Sequence, residues 1–231
     1  MDKRIRTIRN LKKNIDLKKP YSFDEGLLFV KKSAIAKFVE SIDVSIHLGI
    51  DPKKTDQNVR GTTVLPHGIG RNVTVAVFTK DTKCVQDAYK AGADLVGMEE
   101  LAQKIKQENL VFDIVIASPD AMKVVSTIGS FLGPRGIMPN PKLGTITTNI
   151  FQAVTNAKLG QIKYKNDKNG ILHATIGKAN FTDIKLKENF LTLIKSIKKN
   201  KPNHSKGFFL KKIILSSTMG ISIILDHSHL I

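Results

Sequence analysis

The sequence predicts an α/β protein of two domains, a split α+β outer domain interrupted by an inserted three-layer α/β domain. Three observations predict it. Apolar residues alternate with a period of two near both ends of the chain, whereas the middle alternates short continuous apolar runs with helical segments. Breaks rich in glycine and proline, at 66–70 and at Gly160, separate the two styles.

Taken in order, Ile5, Ile8, Leu11 and Ile15 recur at helical spacing among Lys3, Arg6, Arg9, Lys12 and Lys13, which predicts a basic amphipathic helix ended by Pro20. Ser22 and Glu25 form a capping box, and Phe23, Leu27 and Val30 give the helix behind it a buried stripe. Ile42, Val44, Ile46 and Leu48 then alternate with Ser41, Asp43, Ser45 and His47, the mark of a strand with one buried face. His47 thus reads as a surface strand residue rather than a ligand. A turn over 51–56 exposes Lys53 and Lys54, and 58–65 returns as a second strand.

In the middle, 73–78 is an apolar run expected of a strand covered on both faces. A helix follows with Val85, Ala88 and Ala91 on one side and Gly92 just past its end. Next come a short strand at 94–96, a helix with Leu101, Ala102 and Ile105 inward, and a buried strand at 113–117. Ser118-Pro119-Asp120 predicts the start of another helix. A last helix runs from about Asn149, with Ala153, Val154 and Ala157 on one face, to Gly160. Alternation of this kind predicts a Rossmann-like domain, a parallel sheet between two helical layers.

Past Gly160 the two-residue period resumes through Ile162 and Tyr164, and Asn169-Gly170 predicts a hairpin leading to Ile171, His173 and Thr175. Leu186, Phe190, Leu193, Ile194 and Ile197 predict an amphipathic helix, and two apolar strands flank Ser216-Ser-Thr-Met-Gly220. The expected division is 1–66 with 160–231 as the outer domain and 67–159 as the insertion, with a hinge at the two crossings.

Charge narrows the function. Against 20 acidic residues the chain carries 37 Lys and Arg, a net +17 that points to nucleic acid or an anionic membrane. The most apolar segment, 208–225, is interrupted by Lys211 and Lys212 and falls short of the run of about 18 residues that a spanning helix needs, which argues against a membrane. The lone Cys84 excludes an internal disulfide framework and a cysteine-built zinc site, and the N-terminus has no secretory pattern, so a cytoplasmic protein is expected. No cofactor or metal is expected. The residues after Phe78 lack a dinucleotide fingerprint, and no phosphate-binding loop, His-Glu-x-x-His or nucleophile elbow occurs, which argues against an enzyme. Aromatics make up only 6%, with no Trp, so a base-stacking sheet is not expected and folded RNA read by shape remains.

Two stretches stand out. The loop 129–144 is dense in Gly and Pro, neither helix nor ladder-bonded strand by expectation, and carries Arg135 and Lys142 without an acid. It suits either an anionic partner or a rigid connection whose charges face water. Thr218-Met219-Gly220 offers a hydroxyl, an adaptable apolar side chain and free backbone groups, suited to an RNA minor groove. Its other reading is a plain turn with Met in the core.

Six ordered motifs then carry a resemblance: Asp56-Gln-Asn-Val-Arg-Gly61, Val64-Leu-Pro-His-Gly68, Ala91-Gly-Ala-Asp-Leu-Val-Gly97, Gly133-Pro-Arg-Gly-Ile-Met-Pro-Asn-Pro-Lys142, Asn166-Asp-Lys-Asn-Gly170 and Ser217-Thr-Met-Gly220. From about Arg4 to Asp226 the chain resembles the bacterial-type L-one family of large-subunit ribosomal proteins. The resemblance implies the same split and insertion, and binding to the mobile rRNA stalk beside the tRNA exit site. It also implies help in releasing deacylated tRNA and repression of the chain's own mRNA, with no obligate protein oligomer. It places rRNA contacts at Lys37, Phe38, Glu40, Thr218, Met219 and Gly220, and tRNA contacts at Lys53, Lys54, Arg60, Lys163 and Lys165. Where the family more often has arginine, 163 and 165 are lysine, which keeps the charge but loses the bidentate fork to phosphate. Ile221 is bulkier than the family's usual residue. The runner-up reading is a ribosome-independent RNA-binding repressor, and the third is a nucleotide-using enzyme.

Overall fold

The computed structural model describes residues 16, 19–108, 110, 112–202 and 207–226, and the basic helix expected near the N-terminus lies outside them. The chain divides into two compact units, Met1–Gly70 with Ile162–Ile231, and Arg71–Gln161.

The split unit begins, among the described residues, with α1 (Phe23–Ser33). Ser22 accepts from the Glu25 N–H while the Glu25 carboxylate accepts from the Ser22 N–H, so two otherwise unbonded donors of the first turn are satisfied by each other's residue. β1 (Ser41–Leu48) follows and buries every second residue, Ile42, Val44, Ile46 and Leu48. β2 (Arg60–Val64) pairs with β6 (Gln161–Lys165) in a two-stranded sheet. The main sheet is antiparallel, in the order β7 (Ile171–Lys178), β1, β8 (Leu210–Ser217), β9 (Ser222–Leu225).

Asn169-Gly170 does make a turn. Gly170 sits at φ +74°, and the Asp167 carboxylate accepts from the N–H groups of Ile171 and Asn169; the Ile171 bond is the main reason its pKa lies below the usual carboxylate range. A hairpin ladder does not follow. β6 pairs with β2 and β7 with β1, leaving one bridge, Asn166 to Leu172, between the two arms. Local turn chemistry reversed the chain, and burial then assigned each arm to a different sheet.

α7 (Asp183–Lys199) lays Leu186, Phe190, Leu193, Ile194 and Ile197 into the core shared with α1 and the strands. Phe23 of α1 stacks on Phe190 at 4.7 Å, and Lys31 donates to the Phe181 carbonyl at 2.6 Å. The exposed Lys187–Asp24 pair adds about 0–1 kcal/mol at most. Asn189 is fully buried in the same helix. Its Oδ1 accepts from the His67 N–H, and its Nδ2 donates to the carbonyls of Gly68 and Ile176, which fixes the segment leaving β2 against β7.

The other unit has a parallel sheet in the order β4 (Leu95–Gly97), β3 (Val75–Phe78), β5 (Ile114–Ala117). All of β3 is buried, because each face is covered. On one side α2 (Thr82–Lys90) and α6 (Ile150–Lys158) bring Ala88, Val154 and Ala157 against Val75 and Val77. On the other, α3 (Glu99–Glu108), α4 (Met122–Thr127) and α5 (Gly129–Leu132) bring Leu101, Val125 and Leu132 against Ala76 and Phe78. This is the expected three-layer arrangement.

Two local expectations need correcting. Ser118 is not a cap: 118–121 form a turn, α4 starts at Met122, and its N-cap Ala121 offers no side-chain bond. Pro119 and Asp120 carried the signal, but the Ala121 N–H bonds the Ser118 carbonyl and the Met122 N–H that of Pro119, so a turn precedes the helix and leaves Ser118 too far from its first N–H groups. The Gly/Pro loop is also less irregular than expected. Its first four residues are helical, because Leu132 is buried under the sheet, and Pro141–Leu143 forms a 3-10 turn.

Removing the ring in Phe190→Ala should lower the unfolding free energy of the split unit by about 3–5 kcal/mol, read by urea denaturation. Asn189→Leu leaves three backbone groups without their partner and should cost about 1–3 kcal/mol by the same assay.

Candidate nucleic-acid interface

After Ser33 the chain leaves α1 in an open stretch that carries Lys37 and Phe38, both exposed, the Phe38 ring by 56%. Glu40 follows and is 1% exposed. The Ala36 N–H donates to one of its oxygens at 2.9 Å, and the Met219 N–H donates to the other at 3.0 Å. One carboxylate therefore joins the 34–39 stretch to the β8–β9 turn. Burial alone raises the Glu40 pKa, but the Met219 and Ala36 N–H bonds, together with the nearby Ser217 hydroxyl, outweigh it, and the group lies below its ordinary value. Glu40 thus sits beneath the surface rather than on it.

The turn is fixed at each residue. The Thr218 N–H donates to the Ser41 carbonyl at 3.1 Å and the Ser41 N–H to the Thr218 hydroxyl at 3.0 Å. The Ile221 N–H donates to the Ser33 hydroxyl at 3.3 Å. Gly220 allows that approach, since a Cβ there would fall 2.2 Å from Ser217 Oγ and 2.4 Å from Ser33 Oγ. The bulky Ile221 is accommodated by burial in the core, 1% exposed. Met219 is 61% exposed, so the reading that buried it is not the one observed.

Beside this turn lies the face of the main sheet turned away from α1 and α7. Its register lines up Thr175, Asp43, Ser216 and Ser222 across four strands, with His173, Ser45, Ile214 and Ile224 in the next row. These side chains are half-buried or exposed. Thr175 donates to Asp43 at 2.6 Å, Lys178 donates to Ser41 at 2.9 Å, and Ser45 bonds the His173 ring at 3.0 Å. The result is an open face that mixes hydroxyls with the Asp43 carboxylate, Ile214 and Ile224, with Lys178 at its side; it can bond sugar hydroxyls, and its two rows hold no phenyl or indole ring for stacking. Sequence reasoning recognised the polar alternation in β1. It missed the rows, because strand order and register decide which residues of distant strands become neighbours.

The second set of cations is partly gathered. Arg60 on β2 and Lys163 and Lys165 on β6 belong to paired strands, and Lys163 and Lys165 alternate with the buried Ile162 and Tyr164. Partial burial draws the Lys163 ammonium below the usual lysine range. Lys53 and Lys54 are exposed on the turn before β2, which is held by the Asp51 N–H donating to Gln57 at 2.7 Å. In the other unit Arg135 and Lys142 are both exposed on a loop shaped by Asn140 and Thr145, whose hydroxyl accepts from the Asn140 N–H at 2.7 Å. These two belong to the other unit.

Fold and surface together define a basic two-unit α/β protein with an exposed, tethered turn beside an open polar sheet face. The chain matches the model of the Ribosomal protein L1p/L10e family over residues 30–221, and it belongs to that family. It is 55% identical to the large ribosomal subunit protein uL1 of Haemophilus influenzae over 230 residues, covering the whole of both chains. The corresponding protein of Pasteurella multocida is 54% identical with the same coverage, and that of Hamiltonella defensa is 56% identical over all of this chain and 97% of its own. The matching family is one of ribosomal proteins, not of enzymes. Among the described residues no helix is long and apolar enough to cross a membrane.

Because the folded-state pKa of Glu40 is depressed, its contribution to stability is present above the unfolded value of about 4.3 and fades as pH falls through the lower folded value. Glu40→Gln should remove that part of the acid dependence, read as urea midpoints across pH 3–6, and speed hydrogen exchange at the Met219 amide. Unchanged acid dependence would show that the carboxylate does not hold the turn.

Proposed function

We propose that this protein is a structural constituent of the large ribosomal subunit, located in the cytoplasm on the ribosome, and that its split unit is the part that grips rRNA. The rRNA is that of the mobile stalk near the tRNA exit site. The observation that carries the reading is the Glu40 join, which presents Lys37, Phe38, Thr218 and Met219 from two chain segments as one rigid surface. Family membership, full-length likeness to proteins named for the large subunit, and a net charge of +17 support it. Lys37 meets phosphate, while Thr218 and the Gly220 backbone bond sugar hydroxyls and Met219 packs into a shallow groove. Glu40 positions these groups and is not itself a contact.

Lys53, Lys54, Arg60, Lys163 and Lys165 form the surface for exit-site tRNA, whose deacylated form the protein helps release. The same rRNA-binding surface, meeting a similar fold in the chain's own mRNA, represses its translation. A ribosome-independent RNA-binding repressor would use the same contacts, and co-sedimentation with large subunits at physiological salt separates the two.

With about six phosphates neutralised, affinity for the stalk rRNA should fall with salt at a log–log slope of about −4 to −5, and a flat response would defeat the electrostatic part. Thr218→Ala and Met219→Ala should each weaken that complex by about 1–3 kcal/mol in titration calorimetry while leaving the melting temperature nearly unchanged. Wild-type affinity in both variants would remove the turn from the site.

A further inference from the structure

At the opposite end of β8 from the Thr218 turn, a cavity of about 270 Å³ lies between the C-terminal end of α7 and the start of the strand, lined among the described residues by Lys198, Lys201, Gly207, Phe208, Phe209 and Leu210. We propose that this cavity binds one unpaired nucleotide of an RNA strand, its base stacked on Phe208 and its phosphates held by Lys198 and Lys201. The inference rests on the RNA-binding reading above and names a contact that reading does not include.

Phe208 is 72% exposed, an unusual position for a ring with no core role. Its backbone is nevertheless fixed. The Gly49 N–H donates to the Phe209 carbonyl at 2.7 Å, and a Cβ at Gly49 would stand 2.1 Å from the Phe208 carbonyl oxygen, so the end of β1 is pressed against this segment. Phe209, by contrast, is buried, with the Lys201 ammonium 5.9 Å from its ring centre. One ring thus anchors the segment and the next is free to stack. Among the described residues no acid lines the cavity, and two lysines do.

The end of α7 beside the cavity is itself held in place. Asn200, which ends α7, donates to the Tyr164 hydroxyl at 2.6 Å, and that hydroxyl bonds Ser196 at 2.8 Å. The cavity end of α7 is therefore tied to β6 through Tyr164. An RNA strand entering the cavity would meet the exposed Phe208 ring, on which one base can leave its neighbours and stack. A single ring with two flanking ammonium groups suits one nucleotide, not a stacked run, and stacking tolerates any base.

The test uses the full chain and an octa-adenylate RNA with 2-aminopurine at its centre, whose fluorescence falls when the analogue stacks. Wild type should bind and quench. Phe208→Ala should lose the quench and bind about 5- to 100-fold more weakly, Phe208→Trp should keep both, and urea midpoints should not change, since the ring is exposed. Lys198→Ala with Lys201→Ala should flatten the log–log salt slope by about 1.4. Equal quenching and affinity in Phe208→Ala, or displacement of the oligonucleotide by a poly-glutamate peptide with no quench in wild type, would overturn the proposal. Failure to bind the oligonucleotide with folded stalk rRNA still bound would sink this site alone, whereas loss of both would sink the RNA-binding reading.

Discussion

The buried carboxylate of Glu40 joins two stretches that lie 179 positions apart in the chain, and the surface they make together depends on that join. A buried charge is expensive unless it is well bonded. Here the bonds come from backbone N–H groups of Ala36 and Met219, not from a lysine or arginine. Charge-assisted bonds of this kind are about twice as strong as neutral ones and hold backbone, whereas a paired ammonium would hold only a mobile side chain. The choice also leaves the nearby Lys37 exposed and available to an anion. Gly220 completes the arrangement, since the hydroxyls of Ser33 and Ser217 occupy the volume of any larger side chain.

Above that join the split unit keeps its two sheet faces for different work. The inner face is closed by α1 and α7 through one continuous core. The outer face carries its hydroxyls in register across four strands, so the same alternation that buries Ile42, Val44 and Ile46 also lines up Asp43 and Ser45 with partners on β7 and β8. The parallel sheet of the other unit has no such face, because both of its sides are covered by helices. An open sheet face for a large partner is therefore available on one sheet and not on the other.

What could be read in the sequence follows the range of each interaction. The capping box, the buried parity of β1, the inward stripe of α7 and the alternation of strand and helix in the middle are set by residues a few positions apart, and the structure has them. The Asn169-Gly170 turn was legible for the same reason, but the hairpin was not, since the partners of β6 and β7 are strands roughly a hundred residues away. Ser118 looked like a cap by its neighbours, but a turn over 118–121 comes before the helix. At the surface, Thr218-Met219-Gly220 was legible as a broken strand with polar groups. That Met219 faces out and Glu40 faces in was not, because burial of a carboxylate is decided by two distant backbone donors that no local pattern contains.

Lysine at 163 and 165 shapes how the second cation cluster can work. Arginine would hold its charge in any surroundings and grip a phosphate with two parallel bonds. Lysine is a point charge whose ionised form is disfavoured by burial, and Lys163 already feels that pull. An arriving phosphate acts in the opposite direction, favouring the ammonium it meets. At these two positions the cluster has point charges, and its one guanidinium is that of Arg60 on β2. Under the proposed function, such a surface would favour brief, charge-led encounters, while the groups tethered through Glu40 would favour a lasting one.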